Sequence, residues 1–109
     1  MTLLESSLYQ VVENNEDSFK IELNFNHKIF KGHFPGSPIL PGVCIIQIVK
    51  EVLNLSYLSI GSIRYFQPIT PKVPELYFQQ NPKQIRVYDS DKNVYADLKN
   101  IVIIKKEEL

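Results

Sequence analysis

Two periodicities divide the chain. Residues 19–25 (Phe-Lys-Ile-Glu-Leu-Asn-Phe) alternate apolar with polar. A strand sends successive side chains to opposite faces, so this stretch predicts a half-buried β-strand. Residues 8–12 are short and rich in strand formers, and the polar run 13–17 between the two reads as a turn, which predicts a hairpin. Residues 43–53 abandon the alternation. Here polar side chains occur only at Gln47, Lys50 and Glu51, with Asn54 just beyond, forming one narrow stripe at helical spacing. The run predicts a helix ending near Asn54, and one that is apolar on nearly all sides is expected to be buried on nearly all sides. Strand character resumes at 57–66, and Pro68, Pro71 and Pro74 then punctuate a connection. Residues 75–80, 84–88 and 94–104 follow as strands, separated by Asn81-Pro82 and by the polar turn 89–93. Residues 105–108 read as a solvated tail.

The stretch leading into the helix concentrates the conformational punctuation. Three of the seven prolines and three of the four glycines fall between Gly32 and Gly42. Proline fixes its own φ and drives the residue before it out of the helical region, while glycine supplies angles other residues avoid. His33 therefore lies on a stiff loop that is neither helix nor central strand. Pro41 is expected as the first helical residue, where a missing N–H costs nothing.

With 109 residues the chain makes one domain, 1–109, with room for a single core. Twelve basic residues balance twelve acidic ones, so neither nucleic acid nor an anionic membrane is indicated as a partner. No apolar run approaches the ~20 residues that span a bilayer. The N-terminus lacks the basic flank and long apolar segment of a signal peptide. One cysteine, Cys44, fits a reducing compartment, and a cytoplasmic location is expected. Within the apolar helix Cys44 reads as a small core residue rather than a nucleophile. His33 and His27 without a nearby Cys or carboxylate cluster make a poor metal site, and no phosphate-cradling glycine loop occurs, so no cofactor is implied. His27, at a strand end, reads as a surface or supporting residue. Phe19, Phe25, Tyr65, Phe66, Tyr77 and Phe78 are expected mainly in the core, with some tyrosine hydroxyls at the edge of a tunnel.

The order is hairpin, helix, then four strands, an α+β arrangement in which an antiparallel sheet is covered by one helix. One helix over a six-stranded sheet leaves open edges and unburied apolar surface, for which pairing with a second copy is the natural remedy.

Asn26, Phe30, Gly32-His33-Phe34-Pro35-Gly36, Pro38-Ile39-Leu40-Pro41-Gly42-Val43 and Ile45-Ile46 together resemble the active-site segment of bacterial 3-hydroxyacyl-ACP dehydratases of the FabZ/FabA type. Arg64-Tyr65-Phe66-Gln67-Pro68-Ile69 resembles that family's strand after the helix. The resemblance implies the hot-dog fold, a curved antiparallel sheet wrapped around one long central helix. It also implies roles: His33 as base, the Gly42 N–H toward the thioester carbonyl, and an acid at position 47 reaching the other subunit's site. Phe34, Gly36, Ile39 and Pro41 belong by the same resemblance to the substrate-binding segment. Position 47 is Gln here, which departs from the family.

Dehydration needs a base with a pKa near the working pH, fixed donors for charge growing on the thioester oxygen, and a proton for the departing hydroxyl. Imidazole suits the first and a helix N-terminus the second. The amide of Gln47 has no proton to release and only orients by hydrogen bonding. A syn elimination would instead return the proton taken by His33. Glu51 lies four residues on, on the same helical face, and is an auxiliary carboxylate or simply part of a wet or interfacial stripe. Lys28, Lys31, Arg64, Lys72 and Arg86 are candidates for the phosphate of a pantetheine arm or an acidic carrier protein. Three functional readings follow. The leading one is a homodimeric hot-dog dehydratase of fatty-acid or related lipid biosynthesis, acting on substrates held by acyl carrier protein. The second is a non-catalytic or weakly active subunit that binds acyl-ACP and forms a heterodimer with a complete dehydratase. The third, against which the histidine loop argues, is an acyl thioesterase.

Overall fold

Every stretch with period-two character becomes a strand of one antiparallel sheet. In the computed structural model, which describes residues 8–30 and 39–106, the strands are β1 (Tyr9–Asn14), β2 (Ser18–Leu23), β3 (Leu55–Tyr65), β4 (Glu75–Asn81), β5 (Gln84–Tyr88) and β6 (Val94–Lys105). Among the described residues, a 3₁₀ turn (Lys28–Phe30) and one α-helix, α1 (Gly42–Val52), lie between β2 and β3. The sheet order is β1-β2-β4-β5-β6-β3. The chain thus leaves β2 near one edge and re-enters at β3 on the other edge. This is an antiparallel sheet with one helix, consistent with the hot-dog architecture, although the helix is 11 residues rather than a long one.

Register explains which side the core occupies. Phe19 pairs with Phe78, Phe78 with Val87, and Val87 with Ala96. All four are buried, together with Ile21, Leu76, Ile85 and Leu98 from neighbouring rows. The Phe19 and Phe78 rings stack with centroids 4.5 Å apart. Helix α1 adds Cys44, Ile45, Ile48 and Val49 to this core. The opposite face carries Lys20 between Glu13 and Glu75 and the stacked Tyr77–Tyr88 pair. It also carries Asp97, which is only 2% exposed and takes hydrogen bonds from Gln84 and Arg86.

Four expectations need correction. The helix is buried along one stripe, not on nearly all sides: Val43 is 70% exposed, because within one chain the sheet covers one side only. Pro41 is the residue before the helix (φ −59°, ψ 139°) rather than its first member. Tyr65 and Phe66 are 49% and 45% exposed rather than core, since Tyr65 ends the edge strand β3 and Phe66 follows it. Lys105 belongs to β6, and the amide of Lys106 binds the Asn54 carbonyl, so the supposed tail begins as tethered backbone. The helix does stop where expected: Asn54 takes a left-handed φ of 55°, the usual conformation just past a helix C-terminus. Cys44 is a buried free thiol, and burial pushes its pKa up, which suits a core role. His27 accepts the Ile29 amide at 3.0 Å through Nδ1 and so helps shape the 3₁₀ turn. Among the described residues no helix is long and apolar enough to cross a membrane.

Candidate active site

The entry to α1 is fixed from two directions. The Leu40 amide donates to the Ile69 carbonyl at 2.9 Å, pinning the incoming chain to the connection after β3. The Tyr65 hydroxyl donates to the Gly42 carbonyl at 3.1 Å. The phenol ring lies so close that a Cβ on residue 42 would stand 2.8 Å from Tyr65 Cζ, so any side chain there would displace the ring and break this hydrogen bond. Among the described residues no side chain caps the helix N-terminus. The first amides of a helix have no intrahelical partner, and here a positive dipole end accompanies them.

This helix start opens on a cleft of about 470 Å³ walled by Ile39, Gly42, Ile45, Tyr65, Phe66 and Tyr95, among others. That volume and its largely apolar lining suit a small acyl group. Burial raises the pKa of the Tyr65 phenol, keeping it protonated. Tyr95 is held from behind: its hydroxyl donates to Asp89 Oδ2 at 3.0 Å, and Asp89 also accepts from Asn93 and from the Asp91 amide. Burial, then Asp89, raises the Tyr95 pKa.

Gln47 and Glu51 face a different cleft, of about 450 Å³, with Lys50, Asn54, Ser56 and Lys106. Helix geometry accounts for this, since five residues turn the helix through about 500°, leaving Gly42 and Gln47 roughly 140° apart. Gln47 Nε2 donates to Glu51 Oε2 at 2.9 Å. The Tyr9 hydroxyl, on β1, donates to Glu51 Oε1 at 2.9 Å. Glu51 is therefore a half-buried carboxylate hydrogen-bonded to Tyr9 and Gln47 at the edge of this polar cleft.

Of the residues singled out from the sequence, Ile39 and Gly42 line the apolar cleft with Leu40 beside them, and Gln47 and Glu51 share the polar one. Pro41 precedes the helix at the same end. His33, Phe34 and Gly36 lie outside the described residues, as does Lys31. Arg86 is engaged with Asp97 at 3.1 Å, and Arg64 lies over the Phe66 ring at 4.9 Å. Sequence reasoning missed Tyr9 as a site residue and counted Tyr65 mainly as core, allowing that some tyrosine hydroxyls edge a tunnel without saying which. The signal available for Tyr65 was its position, three residues before Pro68 at the end of a strand. For Tyr9, 42 residues from Glu51, there was none.

Comparison with known proteins gives the class. Residues 9–98 match the family described as ApeI-like, ApeI dehydratase. The chain belongs to that family, a set of FabZ-like hot-dog dehydratases. It is 33% identical over 100 residues to the 3-hydroxyacyl-[acyl-carrier-protein] dehydratase FabZ of Wolbachia pipientis subsp. Culex pipiens, covering 80% of this chain and 65% of that protein. It is 31% identical over 84 residues to FabZ of Acinetobacter baylyi, covering 77% and 52%, and 34% identical over 58 residues to FabZ of Clostridium acetobutylicum, covering 53% and 41%. The chain thus spans about half the length of the curated relatives it matches. The crystal structure of S. sahachiroi AziG superposes with a TM-score of 0.53 at 13% identity, covering 91% of this chain and 92% of that one, a likeness of fold.

Proposed function

We propose that the chain dehydrates 3-hydroxyacyl thioesters carried by acyl carrier protein to trans-2-enoyl thioesters, in a cytoplasmic site shared by two copies. The observation that carries this reading is the glycine-started helix opening on an apolar cleft, in a chain whose family is one of dehydratases. His33 takes the proton beside the thioester carbonyl, and donors at the Gly42 end of α1 meet the charge that grows on the carbonyl oxygen. Such donors are worth ~10²–10³ in rate, and a positioned base ~10²–10⁴. The separation of Gly42 and Gln47 onto different clefts supports a site built from two protomers, Gln47 serving the partner's His33. The exposed Val43 and the long edge strand β3 support the same pairing.

The test is ultraviolet detection of enoyl product from a 3-hydroxyacyl thioester, with His33→Ala as control. A rate lowered by about 10²-fold or more in the variant supports the reading, and equal rates exclude it. Release of free thiol instead would indicate a thioesterase. Light scattering is expected to give about twice the 12.6 kDa chain mass. A second reading, a subunit that needs a complete dehydratase as partner, is favoured by one feature: position 47 is an amide whose nitrogen is already committed to Glu51. Activity that appears only on mixing with a second hot-dog dehydratase would establish it.

A further inference from the structure

The geometry points to Tyr9 and Glu51 as positioning residues that fix the Gln47 amide with its nitrogen turned inward and its oxygen presented, so that Gln47 accepts a hydrogen bond from the substrate's 3-hydroxyl group. The inference rests on the dehydratase reading above and assigns the part played by the residue that replaces the acid.

An amide side chain can face a site in two ways, offering N–H donors or a carbonyl acceptor. Which one it offers is decided by its other partners. Here the partner is a carboxylate. An ionised carboxylate accepts only, so the amide atom 2.9 Å from Glu51 Oε2 is the nitrogen. The remaining question is what holds Glu51 still. Its second oxygen takes the hydroxyl of Tyr9, a β1 residue only 4% exposed, at 2.9 Å. A buried phenol needs an acceptor, and a rigid strand supplies the anchor. The chain Tyr9–Glu51–Gln47 is thus polarised one way from the sheet to the cleft that Gln47 lines. Among the described residues, nothing donates to the Gln47 oxygen.

The consequence is specific. A substrate hydroxyl that donates to Gln47 has its lone pairs directed elsewhere, toward whichever group returns a proton to the leaving oxygen. Residue 47 itself contributes orientation and no proton. A 3-methoxy analogue cannot donate and forfeits the contact. A donor-presenting Gln47 would tolerate it.

The experiment uses calorimetric binding to the full chain carrying His33→Ala, which prevents turnover. The probes are the N-acetylcysteamine thioesters of 3-hydroxyoctanoate and 3-methoxyoctanoate. The hydroxy compound should bind about 3–10-fold more tightly. Adding Glu51→Ala, or the milder Tyr9→Phe should the first fail to fold, should shrink that ratio toward one. A purely steric penalty on the methyl group would persist in both, and a ratio unchanged by the second substitution overturns the inference. So does failure of the parent to discriminate, or to bind either probe. A second readout needs no substrate. One Gln47 side-chain amide proton should exchange with solvent more slowly than its twin, and the two should become alike in Glu51→Ala. No difference in the parent also overturns the inference. Absence of enoyl product from the unsubstituted protein counts against the dehydratase reading alone, because these binding and exchange measurements do not depend on turnover.

Discussion

The Tyr65 phenol crosses Gly42 so closely that a side chain at residue 42 would push the ring aside: ring carbon Cζ lies 2.8 Å from where a Cβ would stand, and the hydroxyl grips the Gly42 carbonyl at 3.1 Å. The residue that begins the helix and the residue that ends β3 are thereby set together at the mouth of the apolar cleft.

Because Tyr65 is half exposed, its ring can swing outward when Gly42→Ala is made, and the cost is the lost hydrogen bond rather than a ruptured core. Urea denaturation should show a loss of about 1 kcal/mol for Gly42→Ala and a similar or smaller one for Tyr65→Ala. The double variant should cost no more than the worse single one, since the two residues share one contact. Fully additive losses would contradict the contact.

Gln47→Glu places a second carboxyl within hydrogen-bond reach of Glu51, a distance now spanned at 2.9 Å. Two carboxyls that close cannot both ionise readily, so one is held protonated near neutral pH. The substitution should cost roughly 1–2 kcal/mol of stability. It should also raise enoyl formation by about 10-fold or more, since a positioned acid contributes ~10²–10⁴. The pH–rate profile should gain a limb that falls as the shared proton is lost at higher pH.

Ile48 and Val43 separate the two sides of α1. Ile48 is fully buried, and Ile48→Ala should destabilise by about 2–5 kcal/mol in chemical denaturation. Val43 is 70% exposed in the single chain, and Val43→Ala should cost less than about 0.5 kcal/mol at concentrations where the chain is monomeric. A cost that grows with protein concentration would show that a second copy covers this face.

Stability should fall at both ends of the pH scale. Burial opposes ionisation of Asp97, but hydrogen bonds from Gln84 and Arg86 and the charges of Arg86 and Lys99 outweigh it and hold the carboxyl below its usual range. The Asp89 carboxyl is lowered likewise, the bonds from Asn93, Tyr95 and Asp91 overcoming desolvation. A depressed carboxyl pKa contributes stability that is present above the unfolded value of about 4 and is lost as pH falls through the folded one. Tyr65 and Tyr95 are raised by burial, and Tyr95 also by Asp89. Their contribution is present below the unfolded value of about 10 and is lost as pH rises further. Denaturation midpoints across the pH range should show both declines, and Asp97→Asn should flatten the acid one.

Strand and helix positions were legible because burial on one face writes a period of two, or of three to four, into the residues themselves. The helix end at Asn54 was legible for a similar reason, a local signal at a position that takes a left-handed φ. Sheet order was not, since nothing in β3 announces that its neighbour is β6. The exposure of Val43 and Tyr65 followed from that order, and so escaped a reading based on hydrophobicity alone. At the site, the helix start was foretold by its proline and glycine setting to within one residue, at Pro41 where the structure has Gly42. The capture of Glu51 by Tyr9 was not, because it joins residues 42 apart through a sheet whose register had yet to be known.

Among the described strands, β3 pairs with β6 and with no other. A ribosome-bound nascent chain that has emerged only as far as β5 therefore holds β3 with no strand to pair with, although α1 already has β1, β2, β4 and β5 to pack against. The Tyr65 and Phe66 wall of the cleft is completed only when β6 arrives, so the cleft itself should form late and all at once during synthesis, and the unpaired β3 is the surface a chaperone would shelter meanwhile.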